Sequence, residues 1–405
     1  MLRKVTFVLI IIMLSSCGTT QKLKKELHKD HKENTSFKGF VLYNPTTKKE
    51  LINHNGNKYF TPASNTKLFT FYTIYKTLGD SIKGLEYYKT ADSLIIKGTA
   101  DPSLLYAFDG VKVLDFLKKS TDSIFLVDAN IDEAHYGSGW AWDDYPYYYM
   151  SEKNLFPLYS NMLTYTVQSD IVSSNISALK DNISLSDGSL RRETSNNKFY
   201  AKRGKNKEYE VPFITSNKLI AKMLSDEIDK EVVLISDKKY NFKPLYSETK
   251  DSLLIKLMVD SDNFISEQLM LQVGYEVSKK YSVKEAIKFS LENYLKDLPQ
   301  APRWVDGSGL SRYNLFTPND MIYLLEKMYR EIPQEKLFSY FPIEDKSYVF
   351  AKSGSLSNNY NLSGYLVTKK GTVLIFSYMN NHFKESSSEI KKIMEKTIKE
   401  IYNKY

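Results

Sequence analysis

Tyr59-Phe60-Thr61-Pro62-Ala63-Ser64-Asn65-Thr66-Lys67-Leu68-Phe69-Thr70 is the stretch on which the reading of the chain turns. Pro62 suits the position just before a helix or in its first turn. Leu68, Phe69, Phe71, Tyr72, Ile74 and Tyr75 follow on nearly every side of that helix, and a helix that is apolar all round belongs in a core. Ser64 and Lys67 are three apart, so their side chains share one face near its N-terminus. A buried lysine needs a use. The one open to Lys67 is to take the hydroxyl proton of Ser64 and make it a nucleophile. The same spacing also arises by chance in a chain rich in serine and lysine, so the pair gains meaning only from partners elsewhere.

At 405 residues, with 42% hydrophobic and 26% charged side chains, the chain has material for a large core and two lobes. Aromatic residues make up 14%, much of it tyrosine, which suits a globular enzyme or binder and not a disordered chain. The net charge of +8 is modest for this length, and no basic block with interleaved aromatics points to nucleic acid. His28, His31, His54, His135 and His382 are scattered without ligand spacing, so neither a metal nor a cofactor is expected.

The single cysteine bears on location. Met1-Leu2-Arg3-Lys4 is a short basic start, and Val5 to Leu14 is an apolar run too short to span a bilayer. Leu14-Ser15-Ser16-Cys17 then resembles the cleavage box of bacterial lipoproteins. The resemblance implies a signal peptide over 1–17, lipidation of Cys17 and a charged tether over 18–36. It places a lipid-anchored protein in the bacterial cell envelope, on the periplasmic side. A cysteine used that way leaves no disulfide partner, in keeping with a count of one. An ordinary secretory signal with a chance cysteine is the alternative.

Phe37 to Tyr43 reads as a strand, Asn44-Pro45-Thr46 as a turn and Glu50 to Asn53 as a second strand. Near the other end, Tyr348 to Lys352, Leu362 to Thr368 and Val373 to Tyr378 read as strands, with Lys369-Lys370-Gly371 turning the last pair. An amphipathic helix covers roughly Ser387 to Tyr402. Two strands from one terminus and three from the other predict one antiparallel sheet closed by the chain ends, with helices on its faces. Residues 90–245 alternate short strand-like runs (Ser93 to Lys97, Ser123 to Val127, Thr164 to Val167, Lys198 to Lys202, Glu208 to Val211) with polar turns. They predict a mostly β inserted domain with its own core. Helical spacing returns over Leu253 to Val259, Phe264 to Lys280, Val283 to Leu295 and Pro318 to Arg330.

Three further clusters give the first pair its partners. Ser261-Asp262-Asn263 lies between two helical segments, Lys352-Ser353-Gly354 ends a strand, and Asp306-Gly307-Ser308-Gly309-Leu310-Ser311-Arg312 is a glycine-rich loop between them. Ser-x-x-Lys, Ser-x-Asn and Lys-Ser/Thr-Gly, in that order, resemble the penicillin-binding proteins and serine β-lactamases. Three segments narrow the subgroup: Gly98 to Leu104 (Gly-Thr-Ala-Asp-Pro-Ser-Leu), the aromatic loop within 137–150 (Gly139-Trp140-Ala141-Trp142-Asp143-Asp144-Tyr145-Pro146-Tyr147-Tyr148-Tyr149) and Asp306 to Arg312. Together they resemble the D-Ala-D-Ala carboxypeptidase/endopeptidase family, the class C low-molecular-mass penicillin-binding proteins. The resemblance runs from about residue 37 to the C-terminus.

It implies an α/β (α+β), β-lactamase/transpeptidase-like fold, with a catalytic domain over 37–89 and 246–405 and the inserted domain between. It also implies roles. Ser64 attacks the D-Ala-D-Ala carbonyl and Lys67 accepts its proton, kept neutral by burial and the neighbouring Lys352 cation. Ser261 relays the proton to the leaving D-alanine, and Asn263 holds the substrate amide. Lys352, Ser353 and Gly354 form the carboxylate-binding strand, where Lys352 and Ser353 take the free C-terminus. The backbone N–H groups of Ser64 and Ser355 form the oxyanion hole. Trp140, Asp143, Tyr148 and Arg312, with Leu356 and Ser357 along the wall, resemble the family's pocket for the free end of diaminopimelate. There Asp143 pairs with the ammonium and Arg312 with the carboxylate. The same aromatics would alternatively be plain core.

Two departures stand out. Ser353 replaces the commoner threonine and keeps the hydroxyl, and Ala100 stands where the family has glycine. No Glu-x-x-Leu-Asn segment of the class A deacylating kind follows Asn263, so slow release of β-lactams is expected. The partners implied are peptidoglycan stem peptides and β-lactams as covalent inhibitors. The competing readings are a catalytically inactive peptidoglycan-binding lipoprotein and a serine β-lactamase.

Overall fold

A computed structural model describes residues 36–342, apart from 107, 109 and 110, and residues 347–405. Cys17, the 1–17 signal peptide and nearly all of the 18–36 tether lie outside the described residues. The chain divides into two compact units. Among the described residues, one holds those from 36 to Phe69, Leu295–Val305 and Arg312–Tyr405, and the other Thr70–Tyr294 and Asp306–Ser311.

The first unit is built on a five-stranded sheet in the order Val349–Leu356, Asn359–Val367, Val373–Asn381, Phe37–Asn44, Lys49–His54, antiparallel throughout. This is the sheet closed by the chain ends that the sequence predicts. The central strands Asn359–Val367 and Val373–Asn381 are buried almost end to end. Alternate side chains enter two different layers. Leu366, Leu374, Phe376 and Tyr378 pack with Ile390, Met394, Ile398 and Ile401 of the C-terminal helix Ser387–Lys404. From the opposite face, the Tyr365 hydroxyl donates to the Leu325 carbonyl of helix Pro318–Glu331 at 2.8 Å. Both helices open with a complete capping box, Ser386/Glu389 and Thr317/Asp320. Gly371, at φ +79°, turns the hairpin after Thr368.

The second unit contains a mixed sheet in the order Val232–Ser236, Ser123–Asp128, Ser93–Gly98, Ser81–Lys89, Lys243–Thr249. Smaller sheets pair Lys207–Pro212, Met162–Gln168 and Ile171–Ser174, and Ile183–Ser186 with Phe199–Lys202. The five expected strand runs are all present, and they share one core that includes Leu94, Leu126, Leu163, Val211 and Phe199. Two helices, Val111–Lys119 and Asn217–Ile228, belong to the same core. The flanking strands Ser81–Lys89 and Lys243–Thr249 carry the mixed sheet beyond 90–245 on both sides. The helices Lys250–Val259, Asn263–Ser278 and Val283–Asn293 complete this unit.

Ala100 sits at φ +62° and is fully buried. That left-handed conformation costs a residue with a Cβ roughly 1–2 kcal/mol. This is why glycine is the easier occupant of the position.

Candidate active site

The first unit assembles the nucleophile from the backbone up. Ala63–Asn65 forms a single 3-10 turn that runs into helix Thr66–Thr77, so Pro62 precedes the turn as expected. Lys67, Leu68, Phe69, Phe71, Tyr72 and Ile74 are buried, while Tyr75 is half-buried. Ala63 takes φ +49°, a strained value for a residue with a side chain, immediately before Ser64. Three asparagines hold that strain in place. Asn361 Nδ2 donates to the carbonyls of Thr61 (3.0 Å) and Pro62 (2.9 Å). Asn381 accepts from Thr61 N–H at 2.7 Å, and Asn65 Nδ2 donates to the Lys352 carbonyl at 2.8 Å. The turn is thereby tied to the second and third strands of the sheet and to the Lys352 strand.

Lys67 Nζ donates to Ser64 Oγ at 3.2 Å, with Lys67 fully buried and Ser64 half-buried. The same two atoms, with the proton on the serine side, make the contact that a general base needs. Burial works against the ammonium form of Lys67. Lys352 is also buried, its Nζ reaching the Ser353 carbonyl at 3.2 Å. Ser353 is half-buried, Ser355 exposed, Leu356 half-buried and Ser357 exposed. Gly354 is where the strand presses on the nucleophile turn. A Cβ there would meet Pro62 O at 2.5 Å, Asn65 N at 2.7 Å and Ser64 N at 2.8 Å. Arg312 is exposed and belongs to this unit.

Ser261 and Asn263 belong to the second unit, between helices Lys250–Val259 and Asn263–Ser278. Ser261 is held at φ +58°. Asp262 divides its carboxylate: one oxygen caps the second helix by accepting Ile265 N–H at 2.8 Å, and the other accepts the Tyr106 hydroxyl. Asn263 Nδ2 donates to the Tyr149 carbonyl at 3.0 Å, tying this turn to the aromatic loop. In that loop Trp142 is 78% and Tyr148 64% exposed, and Asp143 is exposed as well. The loop's aromatics are therefore not core filler. Trp140 is half-buried, and its indole N–H donates to Asp306 Oδ2 at 2.9 Å. Asp306 also accepts from Gly309 N–H (2.9 Å) and Ser311 N–H (2.7 Å), which folds the glycine-rich loop around one carboxylate.

Asn65, Asn361, Asn381 and Tyr106 escape the sequence reading. Asn361 and Asn381 do leave a trace, as amides inside otherwise apolar strands. A buried amide in a sheet must find partners, and these two find the backbone of the nucleophile turn.

A serine beside a buried lysine, on a turn pressed against a Lys-Ser-Gly strand of a five-stranded antiparallel sheet, defines a serine acyl-transfer enzyme of the penicillin-recognising class. Residues 19–401 match the D-Ala-D-Ala carboxypeptidase 3 (S13) family. The chain belongs to that family and is a serine-type D-Ala-D-Ala carboxypeptidase. It is 24% identical over 430 residues to D-alanyl-D-alanine carboxypeptidase DacB of Haemophilus influenzae, covering 87% of each chain. It also shares its fold with the crystal structure of penicillin binding protein 4 from Haemophilus influenzae (TM-score 0.72, 20% identity, 87% of this chain and 92% of that one). The same is true of that protein complexed with a novel β-lactam (TM-score 0.69, 19% identity, 91% and 97%).

Proposed function

We propose that the enzyme works on peptidoglycan stem peptides through an acyl-enzyme on Ser64, and that β-lactams acylate the same oxygen. Lys67 takes the proton of Ser64 Oγ as the Oγ–C bond forms at the D-Ala-D-Ala carbonyl. Ser261 returns that proton to the amine of the terminal D-alanine as the C–N bond breaks, and water then hydrolyses the ester. Lys352 and Ser353 hold the free carboxylate, and Asn263 holds the substrate amide. The N–H groups of Ser64 and Ser355 take the developing oxyanion. A stem peptide cross-linked through its D-alanine presents the same D-alanyl carbonyl with a different leaving amine, so endopeptidase action belongs to the same chemistry. The observation that carries this reading is the buried Lys67 amine within hydrogen-bonding distance of Ser64 Oγ. Incubation with purified monomeric and cross-linked muropeptides tests it. Free D-alanine, or monomers from the cross-linked form, is the expected product, and no change in either muropeptide contradicts the reading.

The finer preference is for diaminopimelate, with Asp143 facing its ammonium, Arg312 its carboxylate, and Trp140 and Tyr148 its methylenes. The exposure of Asp143, Arg312 and Tyr148 supports it. Asp143→Ala should cut the kcat/KM advantage of diaminopimelyl over lysyl pentapeptides by about tenfold or more, the loss of one charge-assisted contact. An unchanged ratio removes Asp143 from the pocket.

The anchor is proposed on the sequence alone: a lipid on Cys17 keeps the enzyme at an envelope membrane, with the folded part on the periplasmic side. Labelled palmitate should enter the wild type and not Cys17→Ala. Equal labelling, or none, contradicts the anchor.

A further inference from the structure

One buried acid is not used by the chemistry above. Glu267 lies on helix Asn263–Ser278, directly after the Ser261 turn, and is 1% exposed. Its Oε1 accepts the N–H of Ser308 at 2.7 Å, and its Oε2 has no hydrogen-bond partner. The glycine-rich loop sits tightly on this helix: a Cβ at Gly307 would lie 3.0 Å from the Ser266 carbonyl. The charged groups facing Glu267 are Asp306, from that loop, and Lys153, from the segment after the aromatic loop. Lys153 is itself tied to Glu133. The cation that faces Glu267 is thus already engaged by another carboxylate. Asp306 receives the Trp140 indole and two backbone N–H groups. Glu267 is held by Ser308 alone, through its N–H and its hydroxyl, with the second carboxyl oxygen buried and unbonded.

We propose that Glu267 is a positioning residue for the substrate pocket. Held as the neutral acid, it leaves undisturbed the Asp306 bonds that fasten Trp140 and the glycine-rich loop, and its ionisation beside them loosens both. The proposal rests on the reading of Trp140 as a wall of that pocket. Burial first, and then the Asp306 charge, push the Glu267 carboxyl up to about 7 from its ordinary 4.5. Its contribution to stability is fully present below the unfolded value and is lost as pH rises through about 7. The loop is therefore firmest on the acid side of neutrality.

Glu267→Gln keeps an acceptor for Ser308 N–H and removes the titration. With a diaminopimelyl pentapeptide, the ratio of variant to wild-type kcat/KM should rise by up to about tenfold per pH unit above neutrality, as the active protonated form of the wild type is depleted. The benzylpenicillin acylation rate, which reads Ser64 without the pocket, should keep the same pH dependence in both proteins. Parallel peptide profiles overturn the proposal. Should Glu267→Gln not fold, tryptophan emission of the wild type decides. A transition centred near neutral pH and absent from Trp140→Phe is expected, and flat emission over the same range overturns the proposal. Peptide untouched by either protein at every pH sinks the peptidase reading instead, and the emission titration still tests Glu267.

Discussion

Lys67→Met should lower the second-order rate of Ser64 labelling by a fluorescent penicillin by about 10²–10⁴, the range a positioned general base supplies. The unfolding midpoint should hold or rise in the same variant. Lys67 is fully buried, as are Leu68, Phe69 and Phe71 of the same helix. A buried amine exchanged for an apolar side chain of similar length loses the cost of burying a polar group and keeps its packing. Lost acylation together with retained stability is the signature of a residue kept for chemistry at the expense of the fold. Lost acylation with a matching fall in the midpoint would make Lys67 a structural residue. Labelling kinetics and thermal unfolding on the same preparation separate the two.

Gly354→Ala carries the other large effect. The added methyl would meet backbone atoms only, at 2.5 Å from Pro62 O and 2.8 Å from Ser64 N. Neither can swing aside as a side chain can. Either the Lys352 strand or the nucleophile turn must move, at a cost of about 1–3 kcal/mol in stability. The Ser64 N–H that is to receive the oxyanion moves with the turn. Displacing one such donor costs about 10²–10³ in rate, so acylation should fall by that factor. A variant that acylates at the wild-type rate would show that the strand and the turn can part without consequence. Ser64 N–H would then not be the donor assigned here.

The part of the molecule that sequence makes legible is the part whose residues follow a period. Phe37 to Tyr43 and Val373 to Tyr378 are dense in β-branched and aromatic side chains and bounded by turn residues. The terminal sheet follows from them almost strand for strand. The inserted region is less legible. Lys243–Thr249 contains Pro244, which discourages a strand reading, yet it lies at the sheet edge, where a missing N–H is tolerated. Ile171–Ser174 and Ile183–Ser186 span only four residues each, too few for alternation to show. Within the site, Ser64 and Lys67 are legible because three residues of helix bring them together. Two of the asparagines that brace their turn act from about 300 residues away (Asn361 and Asn381 to Thr61), and no local pattern encodes such a partnership. Glu267 is hidden for the same reason: on the page it is one more acid in a helix, and only the fold sets it against Asp306.

The central claim is that a buried amine lets one serine oxygen take an acyl group from a D-amino-acid peptide. Its most direct test is a time course of fluorescent penicillin labelling, wild type beside Ser64→Ala, chased with unlabelled penicillin. The account predicts a band that forms on the wild type, persists through the chase and is missing from Ser64→Ala. A band of equal strength on both proteins, or none on the wild type, would contradict it.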